Sequence, residues 1–519
     1  MKKINRRNFL KSSAAAGVVA SAATASPMAQ AGWLRKTTRS TTRALIIGSG
    51  FGGSVATLRL AEAGVETILI ERGKHWKYEG EDSYPTVDGD IMKLKVDDRV
   101  LWSEPSSLIP GSVGMIQYYF DKSIAVGCGA CLGGGSVVYG GVLLQPKREI
   151  FEQALPFLSY TDMDEIYYPR VLARISGGPI PDDVLNHPNY TSKREFIKSA
   201  EDAGLEVVRS HVSFDWDVIR EELNGTRTPF ASVGEYVFGC NSGAKNTLDR
   251  NYLADAEATG NVTIKTLHNV TNIVQQPGSN GYEIHCEVLN EEGRITGKHI
   301  IECEYLFMGA GSLNTTRLLL KAQALGEIAG LKNNDGIGAE WGTNGDELMG
   351  RRNIDTSTAP IQGGPPSIAA FDLENPYKST GFMHSPTSAV KEFTQLQMGM
   401  CVPDKNSRVT YNKYTDKVSL NWDRDANETS HQAILHSTEK MIATGGGELV
   451  DISAFGTWHP LGGAAMGSAC DYSGRVYGVE NLFVIDGASI PGAAGAANPA
   501  LTVAANAERM MEQIIPLLV

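Results

Sequence analysis

RALIIGSGFGGSVATLRLAEAGVETILIERG, residues 43–73, decides the first half of the fold. Gly48, Gly50 and Gly53 carry the spacing G-x-G-x-x-G, with Phe51 and Gly52 inside it. The apolar run 44–47 predicts a buried strand, and the run 54–63 predicts a helix. A second apolar strand over 66–70 ends at Glu71. A dinucleotide would use every part of this unit. The first glycine makes the tight turn, the second lets backbone approach a pyrophosphate, and the third packs helix on strand. Free N–H groups at the helix start favour phosphate, and Glu71 is placed to accept a ribose hydroxyl. NAD and FAD use the same device, so the fingerprint alone leaves the dinucleotide open.

The chain starts MKKINRRNFLK, with Arg6 and Arg7 ahead of a small, weakly apolar stretch over 12–25. Ala29-Gln30-Ala31 then matches a small-residue cleavage site. Residues 1–31 read as a twin-arginine export signal that engages the twin-arginine translocation machinery. The apolar part is too short to span about 30 Å of hydrocarbon. Such export carries folded proteins, which suits an enzyme that takes up its cofactor first and works in the periplasm or outside the cell. The rest of the chain has no apolar run long enough for a transmembrane segment. Lys and Arg number 47 against 59 Asp and Glu, a net charge of −12 without a basic stripe, which argues against nucleic acid. Seven cysteines are an odd count, so no complete disulfide framework is expected. Cys128 and Cys131 either form a bridge or line a glycine-rich turn. No second C-x-x-C and no histidine pair at ligand spacing accompanies them to hold a metal.

Between 74 and 123 the pattern is irregular and reads as covering loops. Residues 133–141 then place five glycines in nine positions, which backbone pressed against a flat ligand would explain. Helical periodicity appears over 193–203, and alternating strands over 262–267 and 284–288. The run 299–303 leads into 305–308, then Gly309-Ala310-Gly311-Ser312 and a helix over 315–322. Residues 444–447 read as a loop, 482–485 as a strand, and 503–515 as the closing helix. The predicted class is α/β. A discontinuous Rossmann-like dinucleotide domain draws on 43–75, 120–150, 245–325 and 452–519. An α+β substrate domain on a mainly antiparallel sheet, with covering loops, takes 76–119, 151–244 and 326–451.

The tail WHPLGGAAMGSACDYSGRVYGVENLFVIDGASIPGAAGAANPALTVAANAER, residues 458–509, holds H-P-x-G-G, V-x-D-G-x-x-x-P and N-P-x-L-T in that order. With the opening fingerprint, the G-G-G-S loop and the middle G-A-G-S turn, the mature chain resembles the glucose–methanol–choline family of flavin oxidoreductases almost throughout. The stretches VGCGACLGGGSVVYGGVLLQPKREIFEQALP (126–156) and KNTLDRNYL (245–253) are similar to its cholesterol oxidase branch. The resemblance implies FAD and oxidation of a bulky hydrophobic alcohol such as a 3β-hydroxysteroid, with O2 as acceptor. A quinone or cytochrome acceptor, as in a periplasmic dehydrogenase, is the alternative. A non-enzymatic flavin carrier would be hard to reconcile with an intact His459 and Asn498.

By the same matching, His459 and Asn498 face the flavin ring and the substrate hydroxyl. Alcohol oxidation needs a base of near-neutral pKa at the oxygen and a second group to orient it. The implied flavin contacts are Gly48, Gly50, Phe51, Gly52, Gly53 and Glu71 at the adenosine end. Gly134, Gly135, Ser136, Tyr139 and Gly140 lie along the middle, with Val270 near the adenine. Gly309, Asp486, Gly487, Asn498 and Pro499 lie near the pyrophosphate and ring. Covalent members carry a histidine after G-G-x-S; here the loop is Val137-Val138-Tyr139, which implies non-covalent FAD. Ungapped matching back from Arg408-Val409-Thr410-Tyr411 puts His384 where steroid oxidases place an isomerising glutamate, so His384 is expected beside the substrate. Tyr139 stands where the family has asparagine.

Overall fold

The computed structural model describes residues 36–86, 99–106, 109–354, 357, 361–390, 392–453 and 456–519. The export signal lies outside the described residues. A seven-stranded mixed sheet runs in the order Val262–Lys265, Thr67–Ile70, Thr37–Ile47, Ile295–Met308, Tyr282–Leu289, His268–Gln275, and Leu482–Val484 joins it beside Ile295–Met308. The first four strands in that order are parallel, as expected of a β-α-β unit covered on both faces. Ile295–Met308 is long enough to serve two partners. Its first part pairs antiparallel with Tyr282–Leu289, and residues 306–308 pair parallel with Leu482–Val484. The two runs read separately over 299–308 are therefore one strand. Thr37–Ile47 likewise begins upstream of the quoted stretch, where Thr37, Thr38, Arg39 and Thr41 stay exposed and show no apolar pattern.

Helix Phe51–Glu62 follows the glycine turn and buries most of its length, including Gly52, Gly53, Val55, Leu58 and Leu60. It lies against helix Pro499–Ile514, and the two ends of the chain share one apolar core with Phe307, Phe483 and Ile485. Arg59 donates to both carboxylate oxygens of the buried Glu508, at 2.7 and 2.8 Å, and so ties the two helices.

The second sheet is antiparallel throughout: Glu448–Asp451, Glu347–Arg352, Thr394–Met400, Thr380–His384, Ile368–Asp372, Glu206–Arg209. Its two faces differ by the period of two. Ile368, Ala370 and Phe382 pack under helices Thr191–Asp202 and Glu428–Gly445, with Phe196, Ile434 and Met441. Ala369, Phe371, Met383 and Met400 face Ala496 and Ala497 of the tail. The Glu428–Gly445 helix corrects the loop read over 444–447. Thr444 and Gly445 form its last turn, and the chain leaves it at Gly446.

The seam around the first glycine turn is made of backbone. A Cβ on Gly53 would stand 2.0 Å from the carbonyl oxygen of Gly48, and one on Gly52 would stand 1.9 Å from that of Ile485. Gly53→Ala should therefore cost about 1–3 kcal/mol by overpacking. A urea titration reads this as an earlier midpoint, and an unchanged midpoint would mean the seam has slack.

Candidate active site

Strand Thr37–Ile47 delivers Gly48 with φ +95, a left-handed turn closed by the Gly48 N–H donating to Ile70 O. Gly48 presses on Gly309: a Cβ would meet the Gly309 carbonyl at 2.5 Å. Gly50 differs, because nothing comes nearer its Cβ position than Gly309 O at 4.0 Å. It caps helix Phe51–Glu62 without a side-chain hydrogen bond, and no acid occupies the first turn. A helix start without a side-chain cap or an acid, beside the open Gly50, fits the pyrophosphate of a dinucleotide.

Glu71 is buried at the end of Thr67–Ile70. Its Oε2 accepts from the N–H and hydroxyl of Ser49, at 3.1 and 2.7 Å, and its Oε1 from Gly73 N–H at 3.0 Å. Ser49 Oγ also accepts from Gly133 N–H at 3.1 Å. This serine, unremarked in the sequence pattern, joins the first turn to the G-G-G-S loop. Gly134 then lies on Gly50: a Cβ there would fall 2.7 Å from the Gly50 Cα. Gly135 begins a short helix, and Ser136 donates to Gly133 O at 2.7 Å while accepting from Leu248 N–H. Tyr139 sets its ring edge-on to Phe51 and its hydroxyl on Ser213, and Gly140 abuts the Pro366 ring. Cys128 and Cys131 are free thiols.

Lys245, from the 245–253 stretch, is fully buried behind this loop. Its Nζ donates to Val137 O at 3.0 Å and Tyr139 O at 2.8 Å. Burial pushes its pKa down to about 7, because the charged amine loses its hydration. Its spacing carried no signal, since a lone lysine in a polar stretch usually faces water.

On the opposite side, Asp486 is buried after Leu482–Val484. Its carboxylate accepts from Gly311 N–H at 2.7 Å, Thr315 Oγ1 at 2.6 Å and Ala488 N–H at 2.8 Å. Asp486 thus fastens the tail to the Gly309–Ser312 turn, and burial raises its pKa to about 6. Gly487 packs on Leu461, and Val270 is buried in His268–Gln275. Pro499 occupies the first turn of Pro499–Ile514, where its missing N–H is harmless, and Asn498 is the cap.

An N-cap asparagine ordinarily accepts from its own helix. Asn498 makes no such bond, and its Oδ1 is buried without a partner. Its side chain turns instead to His459, with Nδ2 3.3 Å from Nε2. His459 Nδ1 lies 2.8 Å from Oδ1 of Asp346, whose side chain is 1% exposed. Asp346 Oδ2 accepts from Thr457 Oγ1 at 2.6 Å, and that hydroxyl accepts from His459 N–H at 2.9 Å. Sequence reading missed Asp346, which lies 113 residues before His459 in a stretch rich in glycine and asparagine.

His384 is not part of this cluster. It is fully buried on the helix-facing side of its strand, stacked on Phe196 at 5.1 Å, with Nε2 3.1 Å from Ser192 Oγ. Burial, with Lys193 and Arg351 nearby, pushes its pKa well below the ordinary histidine value. Strand parity separates the two neighbours: Met383 faces the tail, and His384, expected beside the substrate, faces the helices.

A family model described as GMC oxidoreductase matches residues 25–339, and a second of that description matches 403–507. The chain belongs to the GMC oxidoreductase family. Its fold carries FAD, and it is an oxidoreductase acting on CH–OH groups. A twin-arginine signal model matches residues 3–23, so the protein is exported across the cytoplasmic membrane. Among the described residues no helix is long and apolar enough to cross a membrane. Cholesterol oxidase of Mycobacterium tuberculosis strain H37Rv is 25% identical over 90% of this chain and 89% of its own. Cholesterol oxidase of Acinetobacter baumannii is 25% identical over 91% and 94%. The crystal structure of pyridoxine 4-oxidase from Mesorbium loti superposes with a TM-score of 0.61 at 15% identity, covering 91% of this chain and 99% of that one.

The sign of the Lys245 effect follows from its depressed pKa. Its neutral form is favoured by the fold, so stability is greatest above the free-lysine value of 10.5 and falls as pH drops through about 7. Thermal midpoints of the native protein and Lys245→Met should diverge with pH between 7 and 10.5 and run parallel below 7. A constant difference across that window would refute a neutral amine.

Proposed function

We propose that the protein oxidises a 3β-hydroxysteroid, or an alcohol of similar bulk and apolarity, to the ketone, with non-covalent FAD and O2 as final acceptor. The observation that carries this reading is the His459–Asn498 pair: two polar groups 3.3 Å apart, one leaving a buried oxygen without a partner. A substrate hydroxyl reaching both displaces that weak bond. Its O–H donates to His459 Nε2, and its oxygen accepts from the Asn498 amide, which directs the carbinol C–H.

The Gly48–Gly53 turn, the Gly134–Ser136 loop and the Gly309–Ser312 turn would hold the FAD, which supplies a two-electron hydride acceptor. The chain's own part is to take the hydroxyl proton, fix the oxygen and keep water away. The cholesterol oxidase relatives favour a sterol. Non-covalent attachment is favoured by Val137-Val138-Tyr139, which offers no histidine and buries both valines among Trp76, Tyr84, Met115 and Phe238.

The test mixes the yellow holoenzyme with sterols and short alcohols, following flavin bleaching without air and peroxide in air. Faster bleaching with sterols and stoichiometric peroxide are expected. Bleaching by short alcohols alone would overturn the substrate, and dye reduction without peroxide would make the protein a dehydrogenase. His459→Ala should slow bleaching by about 10²–10⁴-fold at unchanged flavin content. Acid precipitation should release the yellow colour to the supernatant; a yellow pellet would mean a covalent link.

A further inference from the structure

We propose that Asp346 is a positioning residue for proton removal: its buried carboxylate holds the proton on Nδ1 of His459, leaving Nε2 with a free lone pair toward the substrate oxygen. The proposal rests on reading His459 as the base. An ionised carboxylate only accepts hydrogen bonds. The 2.8 Å contact of Asp346 Oδ1 with Nδ1 therefore makes Nδ1 the donor in a neutral imidazole. Nε2 is then the acceptor, which agrees with the Asn498 amide N–H directed at it.

The surroundings limit the carboxylate to this task. Oδ2 takes the Thr457 hydroxyl while Oδ1 meets His459, so both carboxylate oxygens are engaged. The next residue, Glu347, turns to Arg424 and His431 instead. Among the described residues Asp346 is the one ion-pair partner of His459. A buried carboxylate favours a positive charge forming beside it. Deprotonating the alcohol supplies that charge. The O–H bond breaks, the proton goes to Nε2, and the hydride leaves carbon with both electrons for the FAD. The imidazolium that results stands against Asp346. Asparagine would fit the same space, but its amide could donate to Nδ1 and stabilise the tautomer whose Nε2 carries hydrogen and cannot accept the proton.

The experiment is nitrogen NMR of the FAD-loaded enzyme with ¹⁵N-labelled histidine, His459 being assigned by the signal lost in His459→Gln. Native enzyme should show Nδ1 protonated and Nε2 bare, and Asp346→Asn should shift the proton to Nε2. Flavin reduction in that variant should fall about 10²–10⁴-fold with FAD content unchanged. Asp346→Glu should keep the native tautomer and recover part of the rate. Native enzyme protonated on Nε2, or an Asp346→Asn variant with native tautomer and a rate within threefold, overturns the proposal. If Asp346→Asn fails to bind FAD, the native spectrum decides alone. That spectrum needs no substrate, so a wrong alcohol in the functional reading would leave it standing.

Discussion

Backbone touching backbone at the first glycine turn is the constraint on which the rest of the structure depends. Three distant pieces of chain meet there without side chains between them. Gly53 lies against the Gly48 carbonyl and the Gly309 Cα region, Gly52 against Ile485, and Gly134 against Gly50. Each approach is closer than a Cβ allows, so side chains cannot hold these pieces apart and hydrogen bonds must hold them together. Asp486 does so for the tail through Gly311, Thr315 and Ala488, and Ser49 does so for the G-G-G-S loop through Gly133 and Glu71. A domain assembled this way is discontinuous in sequence by necessity.

The same convergence brings the chemistry to the cofactor turns. His459 and Asn498 flank Leu482–Val484, the strand that completes the first sheet, and the second sheet presses its apolar face on Ala496 and Ala497. The stretch 341–346 joins the two layers. Gly342 pairs with Leu461, Asn344 donates to Ala497 O at 2.9 Å and accepts from Ala494 N–H, and Asp346 closes on His459. His459 is thus clamped between a tail belonging to one sheet and a loop that leads into the other.

How legible these features were depends on how local their physics is. The β-α-β unit, the glycine turns and the His459 and Asn498 motifs are set by short-range periodicity and backbone geometry, and they stand out in the sequence. The helix Glu428–Gly445 did not, because its polar face, including Glu428, Thr429, Gln432 and Lys440, and its terminal glycines resemble a loop. His384 shows the sharper limit. Ungapped counting along a strand places a residue only to within one, and one residue exchanges Met383 at the tail for His384 against Phe196.

Asp346 shows why the surroundings of a motif residue are harder to read than the residue itself. Glu71, Asp486 and Asp346 are three of the buried carboxylates among the described residues, and all have hydrogen-bond donors. Glu71 is held by Ser49 and Gly73, and Asp486 by two N–H groups and a hydroxyl, so both meet neutral donors. Asp346 alone among these three meets a ring nitrogen that can become charged. No spacing encodes that difference, because the partner is brought up by a fold contact across 113 residues. A neutral donor set lets a carboxylate act only as a clamp, whereas an imidazole partner is itself able to take up a proton. It is the partner's chemistry, supplied by tertiary structure, that makes one buried aspartate a fastening and sets another against a titratable ring.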